Sequence, residues 1–155
     1  MVSPDHSDEK ATTNILLVED DSGDIELTLR AIQRIEAQFN IIVCRDGLEA
    51  LDFLFGEGKY QSRNISELPQ LILLDLNLPK INGREVLRTI RENEITQYIP
   101  VVILSSSDEG NDIKKGYELG NNSYVRKPVD YDQFCNTIKI IGEYWLNINM
   151  LPSSY

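Results

Sequence analysis

The chain has 155 residues, 41% of them hydrophobic and 26% charged, which is room for one ordinary globular domain with a real core and leaves no space for a second, output domain. Fifteen basic residues against 25 acidic ones give a net charge of -10, which disfavours a grip on nucleic acid that would depend on neutralising phosphates. No stretch approaches the roughly 20 apolar residues of a membrane span, and the first residues, MVSPDHSDEKATTN, lack the apolar centre of a secretory signal, so a cytoplasmic protein is expected.

Residues 1–13 are polar and aperiodic and read as a flexible tail. From Asn14 onward, short apolar runs recur at residues 15–18 (ILLV), 41–44 (IIVC), 71–74 (LILL), 101–104 (VVIL) and 123–125 (SYV). Four of the five are too continuous for half-exposed strands and predict a buried parallel sheet. Between them lie helical spacings: Ile25, Leu29, Ile32 and Ile35; Leu48, Leu51 and Phe55; Val86, Leu87 and Ile90; Ile113 and Tyr117; and finally Phe134, Ile138, Ile141 and Trp145. Asp21, Ser22 and Asp24 can cap the first helix, Gly47 follows the second strand, Gly83 opens the third helix and Pro100 precedes the fourth strand. Residues 56–69 form a long polar connection. Five strand–helix alternations predict an α/β protein, a doubly wound five-stranded parallel sheet of flavodoxin-like order 2-1-3-4-5 in a three-layer sandwich, over residues 14–148, with a C-terminal tail at 149–155.

Several residues carry no functional reading. Cys44 and Cys135 have no metal spacing and read as buried thiols, and His6 sits alone in the polar tail. The two glycosylation sequons, at Asn64 and Asn121, are chance matches without a secretory signal.

Acidic residues leave two of the strands: Glu19 and Asp20 end ILLVED, and Asp75 ends LILLD. In the expected strand order the first and third strands are neighbours, and chemistry gathers at their carboxyl ends. Two carboxylates about 4 Å apart repel by roughly 4 kcal/mol at an effective dielectric near 20, so the cluster calls for a proton or a hard cation such as Mg²⁺. Ser105 ends VVILS, and Lys127 ends YVRK before Pro128. A hydroxyl and an ammonium beside a metal-bound carboxylate are the donors that a transferred phosphoryl group needs.

The blocks ILLVEDD, LILLDLNLPKINGREVL, IPVVILSSS and SYVRKP resemble the signature blocks of response-regulator receiver domains, over roughly residues 14–146. The resemblance implies that Asp75 is the phosphoacceptor, that Glu19 and Asp20 bind Mg²⁺ directly or through water, and that the backbone carbonyl of Asn77 completes the protein ligands. It further implies Ser105 as switch hydroxyl, Tyr124 as switch aromatic, Lys127 as the family's lysine, and a cis Lys127–Pro128 bond. Asn77 and Ser107 occupy positions that tune acyl-phosphate hydrolysis in the family. Such a protein catalyses only its own phosphorylation and dephosphorylation and signals through the face of its fourth helix, fifth strand and fifth helix. The long 56–69 connection, DLNLPKINGREVL and the segment EYWLNINMLP resemble, more narrowly, the single-domain regulators of cyanobacterial phytochromes, which implies a phytochrome-type sensor histidine kinase as phosphodonor.

Two rival readings remain. A haloacid-dehalogenase-type phosphatase also uses a strand-end Asp, but it needs a second Asp where this chain has Asn77. A flavodoxin-like FMN carrier needs a neutral phosphate loop where this chain has Glu19, Asp20 and Asp21. On the fifth helix, Ile140, Tyr144 and Ile148 fall away from the core stripe and are expected to be at least partly exposed, as a homodimer surface would require.

Overall fold

In the computed structural model, residues 13–35 and 39–152 are described. The elements are β1 (Thr13–Val18), α1 (Ser22–Gln33), β2 (Phe39–Cys44), α2 (Gly47–Phe55), β3 (Leu71–Leu74), α3 (Gly83–Glu92), β4 (Val101–Ser105), α4 (Gly110–Leu119), β5 (Ser123–Arg126) and α5 (Tyr131–Glu143). The sheet is wholly parallel, in the order β2-β1-β3-β4-β5. Ile15 lies between Ile41 and Leu71, and Ile72 pairs with Val101. The expected order 2-1-3-4-5 is therefore the observed one.

Successive residues of a strand point to opposite faces, so each apolar run supplies both sides of the sheet at once. Leu16, Val18, Ile72, Leu74, Val101 and Ile103 pack with Phe53 and Leu54 of α2 and Val86, Leu87 and Ile90 of α3. Ile15, Leu17, Leu71, Leu73, Val102 and Leu104 pack with Ile25 and Ile32 of α1 and Phe134 and Ile138 of α5. Full burial of such a side chain contributes about 1.5–3 kcal/mol, which is why the central strands have no polar alternation. Both cysteines are buried free thiols, as expected, and burial pushes the Cys44 thiol up to about 12.

Asp21, Asp46, Asn82 and Asp130 cap α1, α2, α3 and α5 by accepting from the amides of Asp24, Glu49, Glu85 and Gln133. Two helical faces differ from the expected ones. In α2 the buried residues are Gly47, Ala50, Phe53 and Leu54, while Leu48 is 42% exposed, because the stripe at spacings of three and four runs from Gly47 through Ala50. In α4 Tyr117 is 56% exposed, and the buried residue is Gly116, which lets the helix backbone approach the sheet: a Cβ there would lie 3.2 Å from Ile103 Cδ1. Residues 56–69 contain a 3-10 turn, Gly58–Tyr60. Arg63 stacks on the Phe53 ring at 4.0 Å and donates to the Phe53 carbonyl, and Tyr60 meets the same ring edge-on and donates to Glu49. The Lys127–Pro128 bond is trans, not the cis bond that the family resemblance implies; trans is the intrinsically favoured state of an X–Pro bond by about 0.5–1 kcal/mol. The N-terminal tail expected over residues 1–13 lies, apart from Thr13, outside the described residues.

The segment between β3 and α3 is wedged in place by glycines. A Cβ on Gly83 would stand 2.2 Å from the Asp75 carbonyl oxygen, and one on Gly47 would stand 1.8 Å from that of Ile81. The Gly83 amide donates to Leu76 O. Gly83→Ala should therefore lower stability by about 2 kcal/mol, an overpacking penalty against rigid backbone. Urea denaturation checks it, and an unchanged midpoint would show that the segment can yield.

Candidate functional site

The sheet ladder itself delivers the site. Glu19, Asp75 and Lys127 each follow the last residue of a strand, and each amide still donates to the neighbouring strand: Glu19 N to Cys44 O at 3.0 Å, Asp75 N to Val18 O at 3.0 Å and Lys127 N to Ser105 O at 2.7 Å. Their side chains thus leave the sheet from backbone that is still held in register, at the carboxyl edge of neighbouring strands.

Carboxylate oxygens of Glu19, Asp20 and Asp75 lie within 4.8 Å of one another. Glu19 and Asp75 are buried, and Asp20 faces solvent. Lys127 Nζ reaches into the cluster, donating to Glu19 Oε2 at 2.6 Å, to Asp75 Oδ2 at 2.9 Å and to Asp24 Oδ2 at 2.9 Å. Burial pushes the Glu19 carboxyl up to about 7 against the lowering pull of Lys127, with the Asp75 charge adding to the rise. Burial would lower the Lys127 pKa, but its hydrogen bonds to Glu19, Asp75 and Asp24 outweigh that and raise it above the ordinary lysine value. The cluster holds more negative charge than one ammonium offsets, and its donors are all oxygen, so it fits a hard divalent cation.

The second oxygen of Asp75, Oδ1, accepts from the Asn77 amide at 3.1 Å, which fixes the carboxylate plane and places Asn77 at the same rim. Ser105 is fully buried at the end of β4, its Oγ accepting from the Ser107 amide at 3.1 Å. Ser107 is a junction. Its carbonyl accepts from the Tyr124 hydroxyl at 3.0 Å, and its own hydroxyl donates to Asp112 Oδ2 at 2.7 Å. Asp112 in turn is paired with Arg84 of α3.

Of the residues singled out from the sequence, Glu19, Asp20, Asp75 and Lys127 meet in one cluster, Asn77 bonds to Asp75, and Ser105, Ser107 and Tyr124 form a hydrogen-bonded chain beside them. Three participants were missed. Asp24 reads in sequence as a helix-capping residue, and its amide does take part in the cap, but its carboxylate turns to Lys127. Arg84 and Asp112 lie 28 positions apart, and only the packing of α3 beside α4 could pair them.

Comparison with known proteins gives the same answer. The response regulator receiver domain family matches residues 15–139. Response regulator Rcp1 of Synechocystis is 39% identical over 90% of this chain and 93% of its own, and the probable methanogenesis regulatory protein FilR2 of Methanothrix harundinacea is 41% identical over 89% and 86%. The crystal structure of the phosphorylated cyanobacterial phytochrome response regulator RcpA superposes with a TM-score of 0.85 at 41% identity, covering 92% of this chain and 99% of that one. The Mn²⁺-bound form of Rcp1 gives 0.84 at 38% identity, over 91% and 99%. Among the described residues no helix is long and apolar enough to cross a membrane. With its sheet order, its acidic strand-end cluster and its strand-end lysine in place, this chain belongs to the response regulator receiver family.

Proposed function

We propose that the chain receives a phosphoryl group on Asp75 from a sensor histidine kinase and signals by the rearrangement that follows. The observation that carries this reading is the position of Lys127 Nζ, 2.9 Å from Asp75 Oδ2 and 2.6 Å from Glu19 Oε2, in the one acidic corner where the strand ends converge. An ammonium held against a nucleophilic carboxylate can also meet the negative oxygens of the phosphoryl group that the carboxylate attacks. Mg²⁺ held by Glu19, Asp20, Asp75 and the Asn77 carbonyl would supply further positive charge to the phosphoryl oxygens. The Asn77 amide leaves Asp75 only restricted rotation, so the attacking oxygen is already aimed. Asn77 itself cannot act as the general acid that a dehalogenase-type phosphatase requires.

Once Asp75 carries a dianionic group, the Ser105 hydroxyl is the nearest switch: turning to donate to a phosphoryl oxygen, it gives up its place as acceptor for the Ser107 amide. The Tyr124 hydroxyl rests on the Ser107 carbonyl, so the ring is released with the loop and can move into the space that Ser105 leaves. The face of α4, β5 and α5 is then the output. The likeness to RcpA, a cyanobacterial phytochrome response regulator, supports a phytochrome-type kinase as donor, and the acidic charge argues against nucleic acid as target. Residues 14–148 act as one receiver, in the cytoplasm.

Acetyl phosphate with Mg²⁺ should label the protein once, and Asp75→Asn should abolish the label; intact-mass spectrometry reads both. A variant labelled as fully as wild type would remove Asp75 as acceptor.

Mg²⁺ should raise stability, by about 2.7 kcal/mol at a hundred times its Kd, since it binds only the folded cluster. Thermal melts across a Mg²⁺ titration test this, with Asp20→Asn needing more metal for the same rise. Melting that ignores Mg²⁺ would argue against the metal site.

Ile140, Tyr144 and Ile148 are 57%, 46% and 68% exposed, and Ile148 lines a groove of about 390 Å³ with Arg34, Ile35, Lys139, Glu143 and Asn147. The ridge supports a homodimer formed partly on α5. Sedimentation of wild type, with and without acetyl phosphate, should show a dimer that Ile140→Glu with Tyr144→Glu dissociates, and monomers throughout would overturn it.

A further inference from the structure

Lys127 uses three N–H donors on three different carboxylates, and only two of those belong to the metal-capable cluster. The third, Asp24, sits in the first turn of α1 and is built to stay where it is. Its amide donates to the Asp21 cap at 2.8 Å, and its carbonyl accepts from Thr28 Oγ1 at 2.7 Å, so the backbone carrying the carboxylate is fixed from both directions. The Lys127 side chain is 10% exposed and that of Asp24 is 32% exposed, which puts Asp24 on the open side of the ammonium. Glu19, 4% exposed, holds it from within.

We propose that Asp24 is a positioning residue for phosphoryl transfer: together with Glu19 it grips two N–H groups of Lys127 so that the third is aimed at the acceptor oxygen of Asp75. The inference rests on Asp75 as acceptor. In the transfer, an Asp75 carboxylate oxygen forms a bond to phosphorus while the bond from phosphorus to the leaving group breaks. That leaving group is the carboxylate oxygen of acetyl phosphate or the imidazole nitrogen of a phosphohistidine, and it departs with the electron pair. The charge lost from Asp75 leaves with that pair, the transferred phosphoryl oxygens keep their own negative charge beside the former carboxylate, and the third N–H can meet one of them by a small rotation. Without Asp24, one N–H is unengaged and the long, flexible lysine stem can swing its ammonium toward solvent, so the productive orientation must be found anew at each transfer.

A carboxylate in the first turn of a helix also stabilises the helix dipole, and that role alone would affect folding without affecting transfer. Asp24→Asn separates the two, because it keeps the shape while losing the charge that grips the ammonium. Labelling by acetyl phosphate at saturating Mg²⁺ should slow about tenfold in Asp24→Asn, the loss expected for a charge-assisted hydrogen bond that orients a catalytic group. In a Lys127→Ala background the same substitution should change the rate less than about twofold, since coupled residues are not additive. An equal loss in both backgrounds, or none in wild type, overturns the proposal. If Lys127→Ala gives too little label or folds poorly, the ammonium signal of Lys127 in nitrogen-15 NMR replaces it. That signal should exchange slowly with solvent in wild type and rapidly in Asp24→Asn, and slow exchange in both overturns the proposal. Asp75→Asn run in parallel keeps the two questions apart: a labelled Asp75→Asn removes the acceptor, whereas an unlabelled one with an unaffected Asp24→Asn removes only the positioning role.

Discussion

The repulsion among carboxylates at the ends of β1 and β3 is the constraint around which the rest of the molecule is arranged. Separations below 4.8 Å place each pair at a cost of roughly 3–4 kcal/mol at an effective dielectric near 20. Such a concentration of charge survives burial only because Lys127 crosses from the end of β5 into its middle. The parallel strand order makes this possible: β5 is separated from β1 by two strands, yet all of them end at the same edge. The ammonium offsets part of the charge and leaves the remainder for a cation, while burial, with the Asp75 charge added to it, raises the Glu19 pKa to about 7 against the pull of Lys127.

How far the sequence discloses this structure depends on whether a residue's role is set by its neighbours in the chain. The strands were legible because burial on both faces requires an unbroken apolar run, and Leu71–Leu74 is buried throughout. The acidic cluster and its lysine were legible because Glu19, Asp20, Asp75 and Lys127 come directly after those runs. Where a role depends on distant packing, the pattern misleads. Leu48 and Tyr117 keep helical spacing with their neighbours yet face water, since α2 and α4 approach the sheet through Ala50 and Gly116, small residues that a hydrophobic pattern weights little or not at all. Asp24 has a sufficient local explanation as part of a helix start, and nothing nearby in sequence hints at the lysine 103 positions away. Arg63 lies in a polar stretch that reads as a loose connection; its stacking on Phe53 ties that stretch to α2.

The site has two sides of unlike construction. On the chemical side, Glu19, Asp75 and Lys127 are bound to one another and to the strand ladder. On the reporting side, Ser107 is connected to Ser105, Tyr124 and Asp112 by single hydrogen bonds, each costing little to exchange. The ion pair from Asp112 to Arg84 extends this second network across to α3, so α3 and α4 are tied to the same loop as Tyr124. Ser105 is therefore linked through the Ser107 loop to α3, α4 and β5.

The continuation of the ladder past the strand ends has a bearing on timescale. The amides of Glu19, Asp75 and Lys127 are bonded across the sheet, and freeing them means separating strands whose side chains form the core. Such amides open only with global unfolding, whereas the Ser107 amide, bonded to a hydroxyl that can rotate, opens by a local fluctuation. Chemistry and readout thus occupy opposite ends of the molecule's own scale of local stability within a few ångströms of each other. The acidic corner is thus held by the sheet, while the loop beside it can break and re-form its hydrogen bonds without the fold being put at risk.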